Sequence, residues 1–152
     1  MNKLNYQIIE QSEQTIKDGY FVDNEDFPGT LFELLIDDQT ISSWLKTEDK
    51  AIPYFYFTEN EEIDLPSCVY ENELIYLLAV CSCGDAGCGS FTMKMTKDEN
   101  YVNLAAIDYG FGNDRREPNF CFARENYDLV IKEIKEKARE FEKKSKNKIK
   151  TL

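Results

Sequence analysis

Leu74-Ile75-Tyr76-Leu77-Leu78-Ala79-Val80, then Cys81-Ser82-Cys83-Gly84-Asp85-Ala86-Gly87-Cys88-Gly89, then Phe91-Thr92-Met93-Lys94-Met95-Thr96 is the stretch that decides the fold. Its first part is an unbroken apolar run, as in a strand covered on both faces. Its last part alternates Phe91, Met93 and Met95 with Thr92, Lys94 and Thr96, the period of a strand with one covered face. The middle holds three of the five cysteines and three of the seven glycines, so it reads as a tight connection that gathers sulfur at a hairpin tip. Asp98-Glu99-Asn100 then turns the chain, and Tyr101 to Asp108 returns as a third antiparallel strand.

Outward from this meander the pattern is less regular. Leu4 to Ile9 reads as a first strand, Phe27-Pro28-Gly29 as a turn, and Thr30 to Ile36 as a second strand. Asp38 to Leu45 reads as a short helix, with Ile41, Trp44 and Leu45 at helical spacing. Ile52 to Phe57 is rich in β-favouring rings, and Pro53 confines it to a sheet edge. Beyond the polar loop from Gly110 to Pro118, Phe120 to Phe122 reads as one more short strand.

From about Asn126 to Lys143, Tyr127, Val130, Ile131, Ile134, Ala138 and Phe141 recur on one helical face. Lysines crowd the end of that helix, where cations complement its dipole. The expected architecture is α+β: a single antiparallel sheet with its meander core at 74–108, packed by this C-terminal helix. One globular domain would span 1–145, with 146–152 as a fraying basic tail.

Composition bounds the function. Apolar residues make up 42% and aromatics 13%, too much for a disordered chain. No apolar run approaches the ~20 residues that span a bilayer, and the N-terminus carries no secretory h-region, so the expected location is cytoplasmic. Reducing conditions there disfavour a disulfide framework. Histidine is absent, which removes imidazole bases, Ser-His and Cys-His nucleophile pairs and His-ligated metals. The expectation leans away from an enzyme.

Formal charge is −11, divided as −11 over residues 1–66, −4 over 67–127 and +4 over 128–152. Such a body repels nucleic acid and anionic membrane and attracts basic proteins. A non-enzymatic binding module of the inhibitor or immunity type is the reading that follows, without a cofactor. Its expected contact surface is Tyr54, Tyr56 and Phe57 beside Glu59, Glu61 and Glu62, because rings anchor interfaces.

The competing reading places chemistry at the cysteines. Cys81-x-Cys83 with Cys88 offers three thiolates, and Cys121 (or Cys68) would complete a tetrahedral zinc site. Against it, the C-x-C spacing is weaker than the C-x-x-C knuckle, and thiols at a strand end pack as small apolar groups. A redox thiolate held by the amides near Gly84 and Gly87 is the third option. Asp85 opposes it, and only Arg115, Arg116 and Arg124 would offset that charge. The acidic clusters Asp23/Glu25/Asp26, Asp37/Asp38 and Glu59/Glu61/Glu62/Asp64 lack the spacing of a calcium loop and read as solvated surface. Tyr109-Gly110-Phe111-Gly112 lacks the lysine of a phosphate-binding loop.

The order apolar strand, C-x-C-G-x-x-G-C-G, alternating strand, aromatic strand, then Phe122-x-x-x-x-Tyr127 opening a helix resembles a group of small bacterial proteins with a Cys/Gly-rich hairpin. The likeness covers roughly residues 74–134. It implies the same α+β fold and carries no activity with it.

Overall fold

The computed structural model describes residues 1–10, 12–18, 20, 30–45, 48–59, 61–80, 90–105 and 119–150. The turn expected at Phe27–Gly29, the end of the third meander strand beyond Ala105, and the cysteine stretch 81–89 lie outside these residues.

The meander is present. Strand β6 (Glu73–Val80) pairs antiparallel with β7 (Ser90–Lys97), β7 with β8 (Tyr101–Ala105), and β8 with β9 (Phe120–Ala123). Leu77, Val80, Phe91, Met93, Val102 and Leu104 are all buried, and Thr92 between Phe91 and Met93 is buried with them. A fifth strand, β5 (Ser67–Tyr70), completes this sheet on the outer side of β6.

The expectation of a single sheet fails. Strand β1 (Leu4–Glu10) pairs along its whole length with β2 (Thr30–Ile36), and β2 also pairs with the two-residue strands β3 (Gln39–Thr40) and β4 (Ile52–Pro53) to form a second sheet. The two sheets touch at both ends through single bridges, Asn2 with Phe122 and Ala51 with Val80. Asn2 explains why β1 does not continue the five-stranded sheet. Its N–H donates to the Cys121 carbonyl at 2.7 Å, while its side chain accepts from Cys121 N–H at 3.0 Å and donates to Asp37 at 2.7 Å. The side chain thus occupies the ladder position that a second strand residue would fill, and β1 turns away to β2.

Local chemistry sets the short elements. Helix α1 (Glu13–Lys17) opens with Ser12 and Thr15 exchanging hydrogen bonds, Thr15 N–H to Ser12 Oγ at 3.2 Å and Ser12 N–H to Thr15 Oγ1 at 2.8 Å. Helix α2 (Ile41–Leu45) begins later than the sequence suggests, because Thr40 caps it by accepting from Ser43 N–H at 3.2 Å. Asp37 and Asp38, with φ of 51° and 64°, instead form the two-residue turn between β2 and β3. The strand expected over 52–57 stops at Pro53. Tyr54 N–H makes the last bond to Thr30 O at 3.1 Å, and Phe57 N–H then bonds Tyr54 O at 3.0 Å, starting helix α3 (Phe55–Thr58).

Helix α4 (Arg124–Lys150) runs past the expected end at Lys143. Tyr127, Ile131, Ile134 and Ala138 are wholly buried and Val130 nearly so. They join Phe32, Leu34 and Ile36 of β2, Phe57 of α3, and Leu78, Met93, Val102, Leu104, Phe120 and Phe122 of the larger sheet in one core. Asn126 fastens the helix start to β1, accepting from Leu4 N–H at 2.7 Å and donating to Leu4 O at 3.0 Å. Replacement Ile134→Asp places an unpaired charge in this core and should cost roughly 3–5 kcal/mol. A urea midpoint unchanged by it would show that α4 is not held by its apolar face.

The β7–β8 turn is closed by Asp98, whose Oδ1 accepts from Asn100 N–H and Tyr101 N–H, each at 2.7 Å. Those two bonds hold its carboxyl below the usual aspartate range, with a smaller contribution from Arg124. A depressed folded pKa gives stability that is complete above the unfolded value of about 3.9 and is lost as pH falls through the folded one. The stability gap between the wild type and Asp98→Ala should therefore hold from about pH 7 to about pH 5 and close in stronger acid. Paired urea titrations at several pH values check this, and a gap independent of pH counts against it.

Candidate functional site

Of the cysteines proposed as ligands, Cys81, Cys83 and Cys88 lie outside the described residues. Cys121 is half-buried in β9 and Cys68 is exposed in β5, both as free thiols. Register fixes where Cys121 stands: it pairs with Asn103, which pairs with Thr96, six residues along β7 from Ser90 at the hairpin base. At about 3.3 Å per residue that is roughly 20 Å along the sheet, and two strands across. The fold separates Cys121 from the base of the cysteine hairpin. Among the described residues no cluster of three or more His, Cys, Asp or Glu side chains is placed to hold a metal.

The expected ring surface is also displaced. Tyr54 and Phe57 belong to the core, at 8% and 1% exposure. Phe57 meets Phe32 edge-on with centroids 5.6 Å apart, and Tyr54 lies 6.5 Å from Phe141. Tyr56 is half-buried and stacks on Phe55 at 4.9 Å. A strand over 52–57 would point alternate rings outward, but the strand ends at Pro53. As a helical turn, α3 packs its rings between α4 and β2. Glu59, Glu61 and Glu62 are exposed as expected.

What the fold does present is the segment that follows those acids. Its root is fixed by Asp64. The Tyr127 hydroxyl donates to Asp64 Oδ1, and Lys97 Nζ bonds Asp64 Oδ2 at 2.6 Å while lying 5.1 Å over the Tyr127 ring. Burial, and then the Asp64 charge, push the Tyr127 hydroxyl far above its ordinary pKa, so it remains a donor at any physiological pH. Next to it, Lys135 of α4 donates to the Glu62 carbonyl. Burial pulls the Lys135 pKa down, with Arg139 adding to the effect. These contacts clamp the 62–64 backbone between α4 and β7.

After the buried Leu65 and Pro66 the chain leaves the core. All four residues of β5 are exposed. Glu71 and Asn72, with φ of 49° and 67°, form a tight turn into β6, so β5 and the start of β6 are a hairpin projecting past the helix. Val69 and Leu74 are directly opposite one another on the face that continues the core, yet they are 70% and 51% exposed. Tyr70 is 48% exposed and Ile63 59%. Glu73 pairs with Lys94 at 2.8 Å on the surface.

A second polar cluster lies on the other sheet. Glu33 is fully buried on β2 and its Oε1 accepts from Gln7 Nε2 and from the Tyr20 hydroxyl, each at 2.6 Å. Its Oε2 has no hydrogen-bond partner among the described residues. Burial and the Glu33 carboxylate raise the Tyr20 pKa well above its usual range. Lys50 sits 5.0 Å over the Tyr20 ring and donates to Asp18 O at 2.7 Å. The arrangement pins Tyr20, and with it the end of α1, onto the outer face of β2 beside Leu31 and Ile9.

Searches against protein-family models, curated proteins and solved structures found no match to this chain. Its surface therefore has to be read from its own residues. The projecting hairpin has a signal in the sequence: Ser67-Cys68-Val69-Tyr70 and Leu74-Ile75-Tyr76 flank Glu71-Asn72-Glu73, and asparagine tolerates positive φ. The Asp64–Tyr127 contact joins residues too distant in sequence to leave a local signal. Replacement Tyr127→Phe removes its donor while Lys97 remains, and should cost about 1–3 kcal/mol. Urea denaturation measures this, and an unchanged midpoint would mean that the clamp does not hold the segment.

Proposed function

We propose that the protein is a non-enzymatic binding module that captures a basic protein partner, in the manner of an inhibitor or immunity protein, through residues 59–74. One observation carries the reading. That segment contains six acids (Glu59, Glu61, Glu62, Asp64, Glu71 and Glu73) and no lysine or arginine. It also contains Ile63, Val69, Tyr70 and Leu74, four of the seven large apolar side chains exposed among the described residues. Asp64 and Glu73 are ion-paired with Lys97 and Lys94, and exposed apolar anchors beside the exposed Glu59, Glu61, Glu62 and Glu71 are what a surface for an oppositely charged protein requires. The total charge of −11 supports it by drawing a basic partner in from a distance. The location inside the cell and the absence of a cofactor belong to the same proposal. No described helix is long and apolar enough to cross a membrane.

The test is association kinetics against a panel of purified basic nucleases, with acidic proteins of similar size as controls. A basic protein should bind with an association rate that falls steeply as salt rises. The triple reversal Glu59→Lys, Glu61→Lys and Glu71→Lys should lower that rate about tenfold or more. Binding unaffected by the reversal, or preference for the acidic controls, would overturn the proposal.

A further inference from the structure

Resting on that reading, we infer that the partner is held by strand addition: an extended, lysine- or arginine-bearing segment pairs with the open edge of β5, lengthening the five-stranded sheet by one strand. The two edges of this sheet are unlike. At β9, the edge is met by Asn2, which bonds Cys121 with both main chain and side chain. At β5, the only paired strand among the described residues is β6.

Register shows which groups that edge offers. Glu71 and Asn72 form a two-residue turn, so Tyr70 and Glu73 are the pair that exchanges hydrogen bonds across it. Pairs alternate along an antiparallel ladder, so Cys68 and Pro66 also turn their main-chain groups toward β6. The Pro66 carbonyl confirms the phase by accepting from Leu77 N–H at 2.8 Å. The N–H and C=O groups of Ser67 and Val69 therefore point away from β6. Pro66 lacks its N–H on the inner side and does not block the outer edge.

Nothing between Ser67 and Tyr70 is a lysine, arginine or proline, the residues that close natural edges. The acidic groups that flank this edge are Glu71, in the turn, and Glu73, which is paired with Lys94 at 2.8 Å. Two copies of the hairpin would bring like charges together across a twofold axis, whereas a basic strand meets opposite ones. Side-chain pattern follows from the two faces. Beside Val69, which stands with Leu74 on the core-facing side, the incoming residue is apolar. Beside Tyr70, which is opposite Glu73 on the other face, it is lysine or arginine. Strand addition of this kind takes affinity from main-chain bonds and specificity from alternate side chains.

The probe is a peptide alternating lysine and valine. Its controls are an equally charged peptide interrupted by prolines, and a version with glutamate for lysine. Hydrogen exchange of the Ser67 and Val69 amides is read together with affinity. The inference expects the alternating peptide to slow exchange at both amides and to bind at least tenfold tighter than the proline control. Val69→Pro, which removes an outward donor, should abolish that preference. If Val69→Pro melts below the wild type, Val69→Lys, which sets a like charge on the edge, should do the same in a folded protein. Equal binding of the two cationic peptides without amide protection overturns strand addition while leaving the acidic surface intact. Failure of both cationic peptides to outbind the glutamate peptide overturns the acidic-capture reading itself. Protection that appears with protein concentration alone identifies a second copy as the occupant and overturns the inference.

Discussion

Burial of the Tyr127 hydroxyl is the constraint on which the exposed part of this structure depends. Helix α4 stabilises the fold only if its apolar stripe is enclosed, and Tyr127 opens that stripe with no exposed surface. A phenol in such a place requires an acceptor, since an unsatisfied buried hydroxyl costs as much as its ring gains in part. Asp64 supplies it, and a half-buried carboxylate in turn requires a cation, which Lys97 supplies from the adjoining strand. Three elements distant in sequence are thereby tied at one point. The contact holds Asp64 three residues before β5, whose place in the sheet is set by its ladder with β6.

The parts of the fold that were legible in sequence are those where one period governs a whole element. Phe91, Met93 and Met95 against Thr92, Lys94 and Thr96 announced β7, and Tyr127, Ile131, Ile134 and Ala138 announced the inner face of α4. Failures fell where a single residue overrules the period. Pro53 ends a strand whose neighbours Tyr54 to Phe57 all favour one, and the rings meant for a partner went to the core instead. Asn2 diverts β1 from the larger sheet through side-chain bonds that no hydrophobic pattern encodes. The candidate surface was half legible. Glu59, Glu61 and Glu62 were read correctly as exposed, but the apolar anchors lie after them, in Val69 and Leu74, rather than before. Those two residues have ordinary strand composition, and nothing local in the sequence marks them as exposed.

Glu33 illustrates a second kind of invisibility. In sequence it interrupts Leu31-Phe32-Glu33-Leu34-Leu35-Ile36 in the manner of a solvent-facing residue on an alternating strand. In the fold Glu33 does face away from the main core, but Tyr20 closes over it. The site is stabilised by hydrogen bonds from neutral donors, Gln7 and Tyr20, rather than by an ion pair. Its role is to hold a return segment against the back of β2.

An open sheet edge is ordinarily a hazard, and the acids of this hairpin bear on why it persists. β5 has four residues, too few for a strand pair to be stable without further contacts. Self-pairing would have to draw those contacts from Val69 and Leu74 while bringing Glu71 and Glu73 of two acidic molecules together. A basic strand faces no such opposition, and the charges that resist the first association favour the second. In the proposed complex, specificity would arise from one set of residues acting with opposite sign on two kinds of partner. The clamp at Asp64 matters here too, because an edge held in place before encounter loses less conformational entropy on binding than one that must first be ordered.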